Sequence, residues 1–293
     1  MHGEESSAAL SPKTMMSRFA ILLLVSIGVG AAGGATVLEA HQATAVGVFL
    51  ASFTDAIAGG GGLISLPAYI FTGMPLHNVY GCNKFATSLN AFLSAFRFVK
   101  NGIVDLKIAV PMGIWCFVSA WAASKIVLFL DGEFLKLMIV AAMPVIAALI
   151  LVQRSYPETS GLHTLTRRQI ALRMALCGIV MGLFDGMLGP GSGTLAILLC
   201  TRFLKLDLRT ASGNAKTMVF ATTLASAISY TMAGQVLWNI TIPVALCGIA
   251  GSYIGSGLAM KKGAKFIRPM MLVIAALLII KMFADVLANY VHL

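Results

Sequence analysis

Residues 55–65 read Asp55-Ala-Ile-Ala-Gly-Gly-Gly-Gly-Leu-Ile-Ser65 and lie inside an apolar stretch. An altered copy, Asp185-Gly-Met-Leu-Gly-Pro-Gly-Ser-Gly-Thr-Leu195, begins 130 residues later. A carboxylate loses its hydration inside a membrane helix, and clustered glycines interrupt the helical hydrogen bonds. Two such stretches predict a duplicated, membrane-embedded site built from discontinuous helices, which is how many transporters form their substrate pockets.

The composition of the whole chain favours a membrane location. Of its 293 residues, 58% are hydrophobic and 11% are charged, and the mean hydropathy is +0.89. A soluble domain has roughly 25% charged residues, so this chain has too little polar surface to coat a globule. The net charge of +10 is interpreted as membrane topology, because no basic run interleaved with aromatic residues indicates a nucleic-acid partner. We therefore expect an all-α, polytopic membrane protein in contact with the lipid bilayer.

Apolar segments recur along the chain. Most have about 17–23 residues, which is enough to span a bilayer. The segments at 63–74 and 193–204 are too short to span and follow the two glycine clusters. Each is therefore expected to pair with the segment before it as a re-entrant or broken helix pair. The apolar segments are residues 19–38, 43–58, 63–74, 84–100, 107–130, 134–152, 170–187, 193–204, 214–232, 240–260 and 266–288.

Matched residues outside the glycine clusters extend the duplication at an offset of 132. Gly81, Lys84, Ser94, Gly102, Val104, Pro111 and Phe134 match Gly213, Lys216, Ser226, Gly234, Val236, Pro243 and Phe266. A period this long indicates a duplicated half rather than a solenoid. Each half is expected to contain a glycine-broken helix pair and three spanning helices. The expected domains are an N-terminal tail and signal-anchor helix (1–41), a first membrane repeat (42–152), a cytoplasmic linker (153–169) and a second membrane repeat (170–293).

The distribution of Lys and Arg predicts the orientation. With the N-terminus in the cytoplasm, nearly all of the 21 basic residues fall in or beside cytoplasmic loops; the exceptions are Lys84, Lys125, Lys136 and Lys281. The first half then enters the membrane from outside and the second from inside. The halves are therefore predicted to be inverted repeats about a pseudo-two-fold axis in the membrane plane, with the C-terminus in the periplasm.

The N-terminal apolar segment has two interpretations. Residues 19–38 are longer than the roughly 7–15 apolar residues of a secretory signal, and Leu38-Glu39-Ala40 is a poor cleavage site. We expect a retained signal-anchor helix, and cleavage remains the alternative.

Asp55 and Asp185 are the first candidate functional residues. A charge at the bilayer centre costs about 2.5–3.5 kcal/mol on insertion scales, and such residues tend to face a cavity. They are interpreted either as symmetry-related carboxylates that couple to protons or gate the pathway, or as caps for N–H groups freed by the glycines. The two roles can coexist.

The glycine clusters are the second candidate feature. A helix that begins after such a break directs its N–H groups and positive dipole end into the pocket, which favours an anion. Gly60, Gly61, Gly191 and Ser192 are therefore predicted to bind substrate. The alternative is that the glycines only allow tight helix packing.

Two Asn/Lys motifs are the third candidate feature. Asn83-Lys84 and Asn214-Ala215-Lys216 are each expected to open an apolar helix, one at each membrane face. The lysines could attract an anion from either side, and the amides of Asn83 and Asn214 could bind its oxygens. The alternative is that both lysines only extend to the membrane interface.

Catalytic motifs are absent from the sequence. There is no GxSxG, no HExxH and no His/Cys cluster with metal spacing, and no Gly-Lys-Ser/Thr follows the glycine clusters. We expect no enzyme activity, no cofactor and no bound metal.

On these motifs the chain resembles the TauE/SafE family of sulfite and organosulfonate exporters, and most of all its YfcA-like members. The resemblance covers nearly all the chain and rests on residues 55–64, 83–84, 184–193, 215–216 and 262–270. It implies a multi-pass inner-membrane permease of two related halves that moves small sulfur-containing anions. Cys82 stands where many members have threonine, so a different selectivity is expected if this position lines the pocket.

Residues and resemblance together predict a secondary transporter of a small anion, with sulfite or an organosulfonate as the implied substrate, working by alternating access. The first alternative is a passive anion channel, whose flux would follow voltage and concentration without accumulation. A membrane enzyme and a non-transporting sensor or assembly subunit are further alternatives, but the sequence offers neither a nucleophile set nor a soluble output domain. Association into a homo-oligomer is left open.

Overall fold

The computed structural model describes residues 37–132 and 159–263. It also describes residues 134–135, 137–138, 141, 266–267 and 269–270. The described residues form helices and turns with no strand among them, which confirms the predicted all-α class. Three predicted segments lie wholly or mostly outside the described residues: 19–38, 134–152 and 266–288.

Eight α-helices occur in the described residues, in two series with the same order of long, short, long and long. The first series is α1 (Val37–Ala58), α2 (Gly62–Ile70), α3 (Leu76–Lys100) and α4 (Leu106–Val127). The second is α5 (Arg167–Met187), α6 (Ser192–Phe203), α7 (Leu208–Met232) and α8 (Trp238–Lys262). A 3₁₀ turn at Leu162–Thr164 precedes α5, which starts at a capping box between Thr166 and Gln169.

The helix breaks predicted at both glycine clusters are confirmed. α1 ends just before Gly59 and α5 ends just before the cluster that contains Gly189. The backbone φ angles are +81° at Gly59 and +87° at Gly189, a region that only glycine enters at low cost. The helices after the breaks are short, with 9 residues in α2 and 12 in α6. At 1.5 Å per residue they reach about 14 and 18 Å, less than the roughly 30 Å of a bilayer core.

Three of the described helices, α4, α5 and α8, are long and apolar enough to cross a membrane by length and composition. They carry strongly exposed apolar residues, such as Ile114, Leu172 and Leu246, which suit contact with lipid. α3 and α7 have 25 residues each but are more polar. Their polar side chains are largely buried, so these two helices form the polar interior of the bundle.

Helices of one series pack mainly against helices of the other. α8 lies along α1, α4 along α5, and α3 along α7. Glycines on α5 face α4, and glycines on α8 face α1. A Cβ at Gly182 would lie 2.5 Å from the main-chain oxygen of Cys116, and one at Gly178 would lie 2.6 Å from Trp115 Cβ. The backbones therefore approach closely, as small residues allow in membrane helices.

The direction of each helix follows from these contacts. Along the α4–α5 and α1–α8 pairs, contacting residues advance together in sequence, so each pair is parallel. Along α3 and α7 the order is reversed. Tyr80 near the start of α3 stacks on Tyr230 near the end of α7 at 6.3 Å between ring centroids, and Phe92 contacts Phe220 at 5.4 Å. α3 and α7 are therefore antiparallel.

Candidate functional site

Each predicted carboxylate lies in the last turn of the helix that precedes a break. Asp55 lies near the end of α1, and Asp185 near the end of α5. Asp185 is buried, with 1% of the residue exposed, whereas the Asp55 side chain is 15% exposed. Both carboxylates are thus held next to the glycine clusters, in two environments that are not equivalent.

Two lysines pair with these carboxylates, and each ion pair joins the two helix series. Lys84 of α3 places Nζ 3.0 Å from Oδ1 of Asp185, and Lys216 of α7 places Nζ 3.3 Å from Oδ2 of Asp55. Each Nζ also donates to the main-chain oxygen of the same aspartate. Because a buried charge is costly unless it is paired and hydrogen-bonded, these crossed pairs allow four charges to persist inside an apolar protein.

The lysines do not lie where the hydropathy pattern predicted. That pattern placed them at helix entrances, but α3 begins at Leu76 and α7 at Leu208, so both lysines lie in the third turn. The Lys84 and Lys216 side chains are 2% and 0% exposed, which contradicts the alternative that they extend to the membrane interface. The hydropathy pattern was wrong because it ended each apolar helix at the polar residues. In the structure, these lysines stay inside the helices because aspartates from the other series pair with them.

The two breaks contact each other. The main-chain oxygen of Gly59 accepts hydrogen bonds from Thr194 N at 2.8 Å and from Thr194 Oγ1 at 3.1 Å. A Cβ at Gly193 would lie 2.5 Å from Gly59 Cα, so no larger residue fits at this crossing. The N–H of Thr194, in the first turn of α6, is therefore hydrogen-bonded to Gly59 at the first helix break and does not face a pocket.

A small pocket with several polar lining residues borders Asp55. Ser52 of α1, Ser65 of α2, and Thr87 and Asn90 of α3 contribute to its lining. Its volume is about 20 Å³, which is room for one water molecule. Asn90 Nδ2 donates to Ser52 Oγ at 2.7 Å, while the buried Asn90 Oδ1 has no hydrogen-bond partner.

The predicted asparagines are both buried in the helix interior. Asn214 Nδ2 donates to the main-chain oxygen of Thr210 at 2.9 Å. Asn83 Oδ1 and Asn214 Oδ1 are buried, and neither has a hydrogen-bond partner among the described residues. Unsatisfied buried amide oxygens are uncommon in proteins, and each is a place where a ligand or water can bind.

The predicted glycine-cluster residues take different places. Gly60 is buried within the first break, and Gly61 lines the pocket with its N–H 3.4 Å from Asp55 Oδ1. Gly191 caps α6 with φ of +76°, and Ser192 is its buried first residue. The structure thus brings Asp55, Gly61 and Lys216 together on one side of the site.

Several polar residues at the site were missed by the sequence analysis. Thr222 Oγ1 donates to Asp185 Oδ2, and Asn90 and Ser52 line the pocket next to Asp55. A signal was present in α3, where Thr87, Asn90 and Ser94 are spaced three and four residues apart on one helical face.

Within the described ranges, no three His, Cys, Asp or Glu side chains gather as a metal site would require. The apolar helices, the paired glycine breaks and the crossed ion pairs define a helical membrane transporter. The chain belongs to the sulfite exporter TauE/SafE family, which it matches over residues 43–282.

Relatives of this chain bear names of the same kind. A probable membrane transporter protein of Haemophilus influenzae is 32% identical over 237 residues, which cover 81% of this chain and 92% of the relative. The probable membrane transporter protein YfcA of Escherichia coli K12 is 27% identical over 240 residues, covering 80% of this chain and 87% of the relative. A probable membrane transporter protein of Sinorhizobium, ORF9, is also 27% identical over 240 residues. No solved structure matches this chain.

Proposed function

We propose that this membrane transporter moves a small anion across the inner membrane by alternating access between two inverted halves. The observation that carries the proposal is the crossed arrangement of the ion pairs Lys84–Asp185 and Lys216–Asp55. They join the halves at the helix breaks, so movement of one half against the other must stretch or break them. A pair that is either made or broken supplies the two discrete arrangements that a switch needs.

The helix directions support the inverted arrangement. A two-fold axis in the membrane plane reverses each helix onto its counterpart, so the counterparts α3 and α7 must be antiparallel. The first helix of one half must then be parallel to the last helix of the other, as α1 is to α8. In this proposal α1–α2 and α5–α6 are re-entrant or broken pairs. The basic residues place the N-terminus in the cytoplasm and the C-terminus in the periplasm.

The proposed anion site includes both lysines, both asparagines and the starts of the short helices, namely Asn83, Lys84, Asn214, Lys216, Gly60, Gly61, Gly191 and Ser192. In the structure, each lysine is paired with an aspartate that balances its charge. Opening one pair, by protonating or displacing its carboxylate, leaves a lysine that needs a new counterion. The substrate anion takes that place, so binding and gating become one event, with Asp55 and Asp185 as the gating or coupling carboxylates.

Sulfite is the substrate that the family description names, and an organosulfonate is an anion of similar chemistry. Both present negatively charged oxygens on sulfur. A lysine ammonium and amide N–H groups are suitable donors to such oxygens, and charge-assisted hydrogen bonds are the strongest kind available. The buried amides of Asn83 and Asn214 can supply their N–H groups if they rotate toward the anion.

Flux into reconstituted vesicles tests the proposal. Purified protein is placed in proteoliposomes with an imposed proton gradient, and uptake of sulfite, an alkanesulfonate, sulfate and a carboxylate is measured separately. We expect sulfite or the sulfonate to accumulate above its equilibrium level. The test variant is Lys84→Met, which should abolish accumulation. The matched control is Lys100→Ala, at the exposed end of α3, which should not change it.

Two outcomes would contradict the proposal. Flux that follows voltage and concentration without accumulation would identify a passive anion channel. An absence of flux for every anion under every gradient would exclude both the coupled transporter and the channel.

A further inference from the structure

The two repeat-related aspartates have different surroundings. Both oxygens of Asp185 are engaged, Oδ1 by Lys84 Nζ at 3.0 Å and Oδ2 by the hydroxyl of Thr222. The Asp185 side chain is 2% exposed. The charge of Lys84 and these two contacts offset the cost of burying this carboxylate.

Asp55 is bound more loosely. Lys216 Nζ lies 3.3 Å from Oδ2, and the contact of Oδ1 is the N–H of Gly61 at 3.4 Å, near the limit of a hydrogen bond. The residue that corresponds to Thr222 in the first repeat is Asn90, 132 positions earlier. Asn90 directs its amide N–H to Ser52 instead of to Asp55. At this matched position a hydroxyl bonds the aspartate in one half, and an amide bonds Ser52 in the other.

The pocket beside Asp55 is suited to water and not to the transported anion. Its volume of about 20 Å³ accommodates one water molecule. The carboxylate and the unpartnered Oδ1 of Asn90, a residue only 5% exposed, are hydrogen-bond acceptors. Buried hydrogen-bond acceptors need a hydrogen-bond donor such as water, and they would repel a sulfur oxyanion. In the described part of the chain, Lys216 of α7 is the charged side chain in contact with Asp55, and the lining from α2 and α3 consists of hydroxyl, amide and glycine groups.

From these observations we infer that the coupling proton enters at Asp55 alone, delivered through a water in the pocket formed with Ser52 and Asn90, and that Asp185 acts in gating without taking up a proton. The inference rests on the proposed function. A hydronium ion transfers its proton to Asp55, which forms the O–H bond and leaves a water molecule behind. Lys216 keeps its proton and its positive charge, loses its counterion, and receives the anion. One proton and one monovalent anion then move together without net charge.

The test variant gives Asp55 a neighbouring hydroxyl group like the one that Thr222 provides for Asp185. In Asn90→Thr, the new hydroxyl occupies the position from which Thr222 bonds its aspartate, so the ionised form of Asp55 is stabilised. We expect proton-driven accumulation to fall about tenfold, the effect of one added hydrogen bond to a charged group. Anion exchange between loaded vesicles and medium without a gradient should fall as well, because the anion binds Lys216 only after Asp55 takes up its proton, and a more acidic medium should restore both activities. The matched control Lys100→Ala, at the exposed end of α3, should leave both activities unchanged.

The outcomes separate the inference from the proposed function. If Asn90→Thr keeps full proton-driven accumulation, the inference is wrong while the transporter proposal stands. If the unmodified protein moves no anion at all, the proposed function fails first and the inference fails with it.

A second measurement does not depend on transport. Infrared difference spectra of the purified protein between alkaline and acidic buffer should show a protonated carboxyl band. Exposed carboxyl groups add to this band, so the component that belongs to Asp55 is the part that is lost in Asp55→Asn and kept in Thr222→Ser. A band of the same size and shape in Asp55→Asn and in the unmodified protein would overturn the inference.

Discussion

Lys84 and Asp185 are 101 residues apart in the chain, yet their Nζ and Oδ1 atoms lie 3.0 Å apart with both side chains 2% exposed. The pair is therefore a buried tertiary contact between the two helix series, and each charge depends on the other. Lys216 and Asp55 form the corresponding pair at 3.3 Å, with the aspartate 15% exposed. This contrast leads to the first two predictions.

Removing Lys84 should destabilise the protein strongly. Lys84→Met leaves Asp185 buried without a counterion, at a cost of about 3–5 kcal/mol in the free energy of unfolding. The double variant Lys84→Met/Asp185→Leu removes both charges and should recover most of that loss. Denaturant unfolding of the protein in detergent micelles measures both. A single variant as stable as the unmodified protein would show that the ion pair does not hold the halves together.

Removing Lys216 should cost less. Lys216→Met leaves Asp55 beside a pocket with room for one water, so we expect the carboxylate to keep part of its hydration. The same unfolding measurement should rank Lys216→Met as the more stable of the two single variants. The reverse order would mean that the pocket does not hydrate Asp55.

The crossing of the two breaks should not tolerate a methyl group. Gly193→Ala places a Cβ 2.5 Å from Gly59 Cα, backbone against backbone, and should cost about 3 kcal/mol or more. Gly73→Ala is the matched control, because its φ is +74° but nothing lies within 4 Å of the added Cβ. It should lose only about 1–2 kcal/mol of backbone strain. Equal losses in the two variants would show that the breaks do not pack as described.

Two glycines in neighbouring long helices should respond with opposite sign. Gly182→Ala would bring a Cβ 2.5 Å from the main-chain oxygen of Cys116 and should destabilise the α4–α5 contact by about 2 kcal/mol. Gly113→Ala meets only Ala221 Cβ at 3.8 Å and should be neutral or stabilise α4 by up to about 1 kcal/mol. Thermal unfolding in detergent, followed for both variants side by side, distinguishes them. A stable Gly182→Ala would argue against close packing of α4 on α5.

Reporter fusions should locate the ends of α7 and α8 on opposite sides of the membrane. A reporter that is active only in the periplasm should be active when fused after Gly234 and silent when fused after Lys262. The prediction follows from the basic residues that cluster near Lys262 and are missing from 233–239. The opposite result at either position would overturn the proposed inverted orientation.

The features that the sequence alone determined are local ones. Glycine clusters at Gly59 and Gly189 interrupt helices because glycine permits positive φ and stabilises a helix poorly, wherever the cluster lies in the fold. The length and hydrophobicity of the apolar segments likewise predicted the helices between the breaks, and the ordered motifs predicted the TauE/SafE family.

The tertiary structure alone decided which charges meet. Each lysine finds its aspartate more than a hundred residues away and in the other series, and no local pattern encodes such a distance. The same holds for Asn90 and Thr222, which occupy matching repeat positions but bond different partners. Hydropathy even misplaced Lys84 and Lys216 at helix entrances, because the free energy that keeps a charge inside a helix comes from its partner and not from its neighbours in sequence.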